Sequence, residues 1–348
     1  MNKKIISIIL ALMSMTLIFA GCSKTKETSS SDVSSSKDDD YVLKIGYSGS
    51  LCEAPVHMAK EKGFFEEEGL KVDLIKLAPG TAFEAVTAGQ VEAGFGLLAS
   101  LIQPLSNGLP IKITTGLHTG CDKVLVKKDS GINSVKDLKG KKIGVPSLTA
   151  SPAIYAKRVL ADAGIGVSTE KMEVEFIVIA SSELSLALEK GSIDAIANND
   201  PTASIAKKEY DLNTIADSAV DEKYKDQYCC TAYVRENIAK EHPEVAAKYT
   251  RAMQKASAWI DGNADEATKI QVDNKWVAGD AAFNATVLKT YNYIPSVSGA
   301  YDSFEETAKA LQEVGMLDKN VDIKTLHENS FVKFDDVPDG VKSSEVKK

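Results

Sequence analysis

Five cysteines carry the strongest chemical signal in this sequence, and one of them stands apart near the N-terminus. The other four are Cys52, Cys121, Cys229 and Cys230. They form no Cys-x-x-Cys motif and no Cys/His spacing typical of zinc sites. Three interpretations are open, and we favour them in this order: small buried hydrophobes, a Cys52–Cys121 disulfide in an oxidising setting, or thiolates that contact a soft ligand such as a metal species or a sulfur compound.

The remaining cysteine, Cys22, follows a segment with the layout of a secretory leader. Lys3 and Lys4 are followed by an apolar run over residues 5–20 and then by Ala20-Gly21-Cys22. The run is short for a membrane span, which needs about 20 apolar residues. We therefore predict a lipoprotein signal peptide over residues 1–21, a lipid on Cys22, and an extracytoplasmic protein anchored to the cell membrane.

Composition separates a flexible spacer from a folded body. Residues 22–40 are rich in Ser and Asp and predict a flexible stalk, since they bury too little apolar surface to offset the cost of ordering. Residues 41–336 are enough for two compact domains, and residues 337–348 form a polar tail. The net charge of −8 becomes −10 without the leader and its two lysines, which argues against nucleic acid as a partner.

The order of predicted elements indicates an α/β fold. Strands over residues 43–47, 72–77, 91–95 and 111–115 alternate with helices, and the alternation resumes after residue 141. Such alternation favours right-handed βαβ units and mostly parallel sheets. Residues 86–93 and 188–195 share one pattern, a helix end, a glycine and a short strand entered through an acid and Ala. This repetition predicts two similar lobes.

Several motifs resemble one family, the periplasmic binding proteins for aliphatic sulfonates, nitrate, taurine and thiamine precursors. They are Gly46-Tyr47-Ser48, Glu61-Lys-Gly-Phe-Phe-Glu-Glu-Glu-Gly-Leu70, Gly89 with Glu92-Ala93, Asp137-Leu-Lys-Gly-Lys-Lys-Ile-Gly-Val145, and Gly191-Ser-Ile-Asp-Ala195. The resemblance covers about residues 43–315.

This resemblance implies a type II fold with two α/β lobes, two hinge crossovers and a ligand between the lobes. Lobe one would comprise residues 41–127 and 233–336, and lobe two residues 128–232, with hinge strands at 124–126 and 230–233. The family also implies a monomeric receptor for a small molecule that delivers its ligand to an ABC permease driven by an ATPase.

Ligands of open α/β sheets bind beyond the carboxyl ends of the strands. That rule selects a set of candidate ligand-binding residues: Ser48, Ser50, Leu51, Cys52, Leu98, Ser100, His118, Thr119, Cys121, Ser147, Thr149, Ala150, Asn198 and Asp200. Cys229 and Cys230 are added because they lie at the return crossover that the resemblance implies, near the same cleft. Ser151 is expected to cap a helix instead. The candidate loops contain no Arg or Lys, so an anionic ligand would depend on backbone N–H groups and hydroxyls.

Two classes of function remain in view, a solute receptor and a surface-anchored enzyme on the same fold. The sequence contains no Gly-x-Ser-x-Gly, no His-Glu-x-x-His and no phosphate-binding glycine loop. Some relatives of the family make a thiamine pyrimidine with an iron-binding run of cysteines, and the single pair Cys229-Cys230 does not match that run. We therefore expect a receptor without a cofactor and leave a metal ligand open.

Overall fold

The computed structural model describes residues 40–78 and 80–347. The predicted leader, Cys22 and nearly all of the stalk lie outside this part of the chain. None of the helices in the described ranges combines the length and the apolar character that crossing a membrane requires.

The described residues form two five-stranded sheets. Their strands are β1 (Val42–Tyr47), β2 (Lys71–Lys76), β3 (Ala93–Leu97), β4 (Ile111–Thr119), β5 (Asp122–Lys127), β6 (Lys142–Val145), β7 (Glu175–Val178), β8 (Ala195–Asn199), β9 (Leu212–Asp217) and β10 (Tyr228–Arg235). The first sheet has the order β2-β1-β3-β10-β4, and the second has the order β7-β6-β8-β5-β9.

Helices cover both faces of each sheet. They are α1 (Ala54–Glu61), α2 (Phe64–Glu67), α3 (Ala82–Thr87), α4 (Leu98–Ser106), α5 (Ser151–Asp162), α6 (Leu184–Glu189), α7 (Thr202–Glu209), α8 (Glu236–Glu241), α9 (Pro243–Gly262), α10 (Ala264–Asp273), α11 (Ala281–Leu288), α12 (Val297–Glu313) and α13 (Ile323–Ser330). The predicted α/β fold with two lobes is confirmed.

Each sheet combines parallel and antiparallel pairs. In the first, β1 runs parallel to β2 and β3, while β10 is antiparallel to β3 and β4. In the second, β6 runs parallel to β7 and β8, while β5 is antiparallel to β8 and β9. The strands that follow the two crossovers, β5 and β10, are therefore the ones that run against their neighbours.

The chain crosses between the sheets at two places, Gly120-Cys121 and residues 218–227. Residues 124–126, expected as a hinge strand, lie inside β5 of the second sheet, and residues 230–233 lie inside β10 of the first sheet. The boundaries inferred from the resemblance thus fall at the end of β5 and within β10. The middle of β5, residues 124–126, is apolar, and β10 is mostly apolar from Tyr228 to Val234. Such short apolar runs do not show which sheet a strand joins.

Alternating side chains give each sheet two apolar cores. In β10, Ala232 and Val234 pack towards α1 and α9, whereas Tyr233 packs with α4 and α12. In β5, Val124 and Val126 pack with α5, and Leu125 packs with α6 and α7. This packing places the carboxyl end of β6 and the start of α5 near the two crossovers. The candidate site lies there.

Candidate functional site

A small cavity of about 40 Å³ lies between the two lobes beside the crossovers. Such a space holds two or three water molecules, since one water needs about 15 Å³ by this measure. The first lobe contributes α4, β10 and α12, and the second contributes β5 and α5. The lining residues are Ala99, Gly120, Asp122, Ser151, Ile154, Tyr155, Arg158, Ser218, Tyr224, Gln227, Tyr228, Cys229 and Thr307.

Asp122, the first residue of β5, places a carboxyl group in this cavity. Its Oδ2 accepts a hydrogen bond from Oγ of Ser151 at 2.5 Å, while its buried Oδ1 has no protein partner. Burial raises the pKa of Asp122 to about 7, because the ionised form is poorly solvated there. Ser151, expected as a helix cap, is the first residue of α5 and holds Asp122 instead.

Arg158 brings a positive charge to the same cavity from two turns further along α5. Its Nη2 donates to Oε1 of Gln227 at 2.8 Å, and its guanidinium lies 4.8 Å from the ring centre of Tyr224. Its Nε is buried and has no hydrogen-bond partner. Two residues that line the cavity, Arg158 and Asp122, therefore each keep one buried atom without a hydrogen-bond partner.

Sequence reasoning confined to loops missed Arg158. A signal was present, because Ser151, Ile154, Tyr155 and Arg158 stand at positions i, i+3, i+4 and i+7 and so share one face of a helix. When a helix begins at the cleft, the side chains on this face of the helix lie along the cleft.

Tyrosine rings form the aromatic part of the cavity wall. The rings of Tyr155 and Tyr224 meet edge to face with centres 5.1 Å apart. The hydroxyl of Tyr155 donates to Asp221, and that of Tyr224 donates to Asp162 at 2.5 Å. Since the hydroxyls already have partners, the rings present apolar surface to a ligand.

The predicted ligand-binding loop after β1 donates hydrogen bonds to the side chain of Glu53. Its carboxylate accepts from N of Ser48 at 2.8 Å, from N of Gly49 at 2.6 Å and from N of Ser50 at 2.7 Å. Oγ of Ser48 adds a fourth hydrogen bond at 3.0 Å. Burial raises the pKa of Glu53 although these hydrogen bonds oppose the shift. The N–H groups expected to meet an anionic ligand thus meet an internal carboxylate.

The other predicted residues lie around the cavity or in the core. Leu51 and Leu98 are core residues, and Oγ of Ser100 is buried without a partner. The hydroxyls of Ser147 and Thr149 lie 3.2 Å apart near the surface, next to Ala150, which precedes α5. Asn198 pairs with Ser181, and Asp200 pairs with Lys123. Of the predicted contacts, Cys229 lines the cavity.

The four body cysteines come together next to the cavity with His118 and Thr119. All four are free thiols, and Cys52, Cys121 and Cys230 are fully buried. The side chain of Cys121 and burial raise the pKa of Cys52, whereas hydrogen bonds from Cys121 and Cys230 lower the pKa of Cys229. The structure thus has no Cys52–Cys121 disulfide, and Cys52, Cys121 and Cys230 lie in the hydrophobic core, as the first interpretation expects.

Two α/β lobes joined by two crossovers, with a polar cavity between them, define the periplasmic-binding-protein fold. Residues 53–267 match the family model described as NMT1/THI5 like. Since the match covers more than half of the chain, the protein belongs to the NMT1/THI5-like family.

Similar proteins include binding proteins and an enzyme. A Bacillus subtilis (strain 168) protein named for binding aliphatic sulfonates is 26% identical over 334 residues, which cover 93% of this chain and 95% of that protein. The 4-amino-5-hydroxymethyl-2-methylpyrimidine phosphate synthase of Aspergillus parasiticus is 24% identical over 69% of this chain and 72% of its own length.

A solved structure shows the same fold. The alkanesulfonate-binding protein SsuA from Xanthomonas axonopodis pv. citri, bound to MOPS, superposes with a TM-score of 0.69. The two are 18% identical, and the match covers 84% of this chain and 98% of that one.

Proposed function

We propose that this protein is an extracytoplasmic solute receptor, anchored by a lipid on Cys22, that delivers a small ligand to an ABC importer. One observation supports the position of the binding site. Arg158 and Asp122 line one cavity between the lobes, and one atom of each, Nε of Arg158 and Oδ1 of Asp122, is buried without a hydrogen-bond partner. A buried polar atom without a partner is costly, and a ligand that reaches both atoms would remove that cost.

The chemistry of the cavity selects a class of ligand. Arg158 pairs best with an anionic oxygen, and the free oxygen of Asp122 suits a hydrogen-bond donor or, when the carboxyl is protonated, an acceptor. The rings of Tyr155 and Tyr224 suit a flat or apolar portion. We infer a small organic solute with an anionic group, in keeping with the sulfonates named for the Bacillus subtilis relative.

Binding of such a solute requires the lobes to move. The present cavity of about 40 Å³ is smaller than an organic anion, so the solute enters an open form and the lobes close over it by hinge motion at the two crossovers. The closed form is the one that would dock on the permease. The tether and the stalk of residues 22–40 would hold the receptor beside that permease.

We infer that the protein binds its solute without converting it. Because one relative is a synthase, the experiment tests for turnover as well as for binding. The experiment is a thermal-shift panel of alkanesulfonates, taurine, nitrate and thiamine pyrimidine precursors, followed by equilibrium dialysis of the stabilising compound. A receptor returns that compound unchanged. Chemical conversion of the compound, or a panel and cell extract without any stabilising compound, contradicts the proposal.

Arg158→Ala tests the site itself. Hydrogen bonds to charged groups contribute about 1.5–3 kcal/mol, so affinity for the stabilising compound should fall at least about tenfold. Lys157→Ala is the matched control, because Lys157 is the next residue of α5 and lies over the ring of Phe176, away from the cavity. Equal affinity of the two variants would place the ligand elsewhere.

A further inference from the structure

Four cysteines and one histidine from three distant segments converge at the hinge of the molecule. Cys52 lies in the short turn after β1, Cys121 in the first crossover, and Cys229 and Cys230 at the start of β10. The sulfurs of Cys52 and Cys230 and a ring nitrogen of His118 all lie within 4.8 Å of one another. The sulfurs of Cys121, Cys229 and Cys230 do the same. Cys230 belongs to both groups and joins them into one cluster.

Burial of small hydrophobes explains the thiols but leaves His118 unexplained. The side chain of His118 is fully buried, and its Nε2 has no hydrogen-bond partner. Its Nδ1 lies 3.2 Å from the carbonyl oxygen of Thr119. A carbonyl only accepts, so Nδ1 carries the proton and Nε2 presents a bare lone pair. A buried acceptor without a donor is costly to maintain.

The surroundings of His118 are those of a metal-binding imidazole. Such a histidine donates its other ring N–H to a backbone carbonyl or a carboxylate, which fixes the tautomer and the ring orientation. Thr119 supplies that carbonyl. The ring of Tyr291 stacks on His118 with centres 5.1 Å apart and planes within 5°, which holds the imidazole in place.

We propose that Cys52, His118, Cys121 and Cys230 bind one soft d¹⁰ metal cation of the class that includes Zn(II) and Cu(I). Thiolate and imidazole donors select such ions over Mg(II) or Ca(II), which prefer oxygen. Three sulfurs and one nitrogen complete a tetrahedral set. As each metal–sulfur bond forms, the thiol concerned releases its proton to solvent.

The separations of the donors fit this ion after a small contraction. A zinc–sulfur bond of about 2.3 Å places tetrahedral sulfurs about 3.8 Å apart, and within each of the two groups of donors the ligand atoms lie within 4.8 Å of one another. Cys230 lies within this distance of Cys52, His118 and Cys121, so the contraction brings Cys121 towards Cys52 and His118. The ligands come from the turn after β1, from β4, from the first crossover and from β10, so the ion would join the first crossover to the first lobe. Cys229 belongs to the cluster but not to the four proposed ligands, and it also lines the solute cavity, which places the metal next to the solute site.

The test uses the full chain with Cys22→Ser, so that the four body cysteines are the only thiols. Reduced, metal-free protein is titrated with Zn(II), and with Co(II) as a spectroscopic probe, under inert gas. We expect one ion per chain after desalting, a higher melting temperature with Zn(II), and an intense thiolate-to-cobalt charge-transfer band. The band requires cysteine ligands, so the protein without further substitutions already tests the site.

Two variants locate the ion. His118→Gln and Cys230→Ser should each weaken Zn(II) binding at least about tenfold. His57→Gln is the matched control, since His57 is the other fully buried histidine with an unpartnered Nε2 and lies outside the cluster. It should retain one ion and the cobalt band.

Three results would overturn the proposal. They are reduced protein that retains no ion, a bound ion without the thiolate band, and exported protein whose mass spectrum shows disulfides among these cysteines. Solute affinity measured on the same samples is a separate readout, so failure of the metal site and failure of the receptor function are distinguishable.

Discussion

The amine of Lys123 lies 2.5 Å from Oδ2 of Asp200, and both side chains are almost fully buried. The hydroxyl of Tyr291 donates to the same oxygen at 3.1 Å. Lys123 belongs to β5 and Asp200 follows β8, so the ion pair lies in the second lobe, while Tyr291 follows α11 of the first lobe. A buried charge pair of one lobe is thus hydrogen-bonded to the other lobe.

Lys123→Met should lower the free energy of unfolding by about 3–5 kcal/mol, because it leaves the carboxylate of Asp200 buried and unpaired. Adding Asp200→Asn should recover part of the loss, since the fully buried carboxylate is then gone and Asp217, which lies 3.6 Å from the amine of Lys123, is partly exposed. Urea denaturation measures both. The control is Lys128→Met, which breaks the exposed pair of Lys128 with Asp211 and should cost less than about 1 kcal/mol. Equal losses for Lys123→Met and Lys128→Met would show that burial of the first pair is unimportant.

Glu53→Gln should destabilise the protein by about 2 kcal/mol or more, because the amide NH₂ would face backbone N–H donors that now bind a carboxylate. Thermal and urea unfolding measure the loss. Glu66→Gln, in α2 and exposed, changes the same residue type at the surface and should shift stability by less than about 0.5 kcal/mol. If the two variants melt alike, the loop of residues 48–50 does not depend on Glu53.

His57 should make the protein less stable in acid. Its ring is buried between Tyr47 and Trp276 and accepts from Nε2 of Gln271 at 3.0 Å. Burial, with a smaller effect of the charge on Lys76, lowers the pKa of His57 to about 3 from its ordinary 6.5. The unfolded chain therefore binds one more proton between these values, and stability is lost as the pH falls from about 6.5 towards 3.

The variant His57→Gln isolates this effect. Between pH 6 and 4 the wild type should lose about 1.4 kcal/mol per pH unit more than the variant. Urea unfolding across this pH range measures the difference, and the offset between the proteins above about pH 7.5 gives the packing cost of the substitution, as the histidine does not titrate there. Parallel curves from pH 8 to pH 4 would contradict the assignment of a neutral, buried His57.

Cys22→Ala should release the protein from the membrane. The full chain expressed in a bacterial host should sediment with membranes and incorporate a labelled fatty acid, because the predicted signal places the lipid on this thiol. The variant should lose the label. Lys24→Ala, two residues into the stalk, is the control and should stay membrane-bound. A Cys22→Ala protein that still carries the label would place the lipid on another residue.

Local pattern was sufficient for the order of the elements and for the α/β class. Glycines such as Gly89 and Gly191 adopt positive φ after α3 and α6, which is why the repeated helix–glycine–strand pattern predicted real junctions. Helix α12 begins at Val297 with Ser296 as its cap. The local sequence predicts a loop there, because α12 is stabilised by packing on β4 and β10 rather than by helix propensity.

The sequence by itself determined which residues have chemistry to offer: Cys22 with its predicted lipid signal, the four body cysteines and the strand-end loops. Only the tertiary structure decided what those residues meet. It turned the loop after β1 towards Glu53, carried Arg158 along α5 into the cavity, and joined Cys52, Cys121 and Cys230 at the crossovers. Spacing along a chain fixes the face of a helix or a strand, whereas contacts between residues far apart in sequence depend on the places that β5 and β10 take in the two sheets.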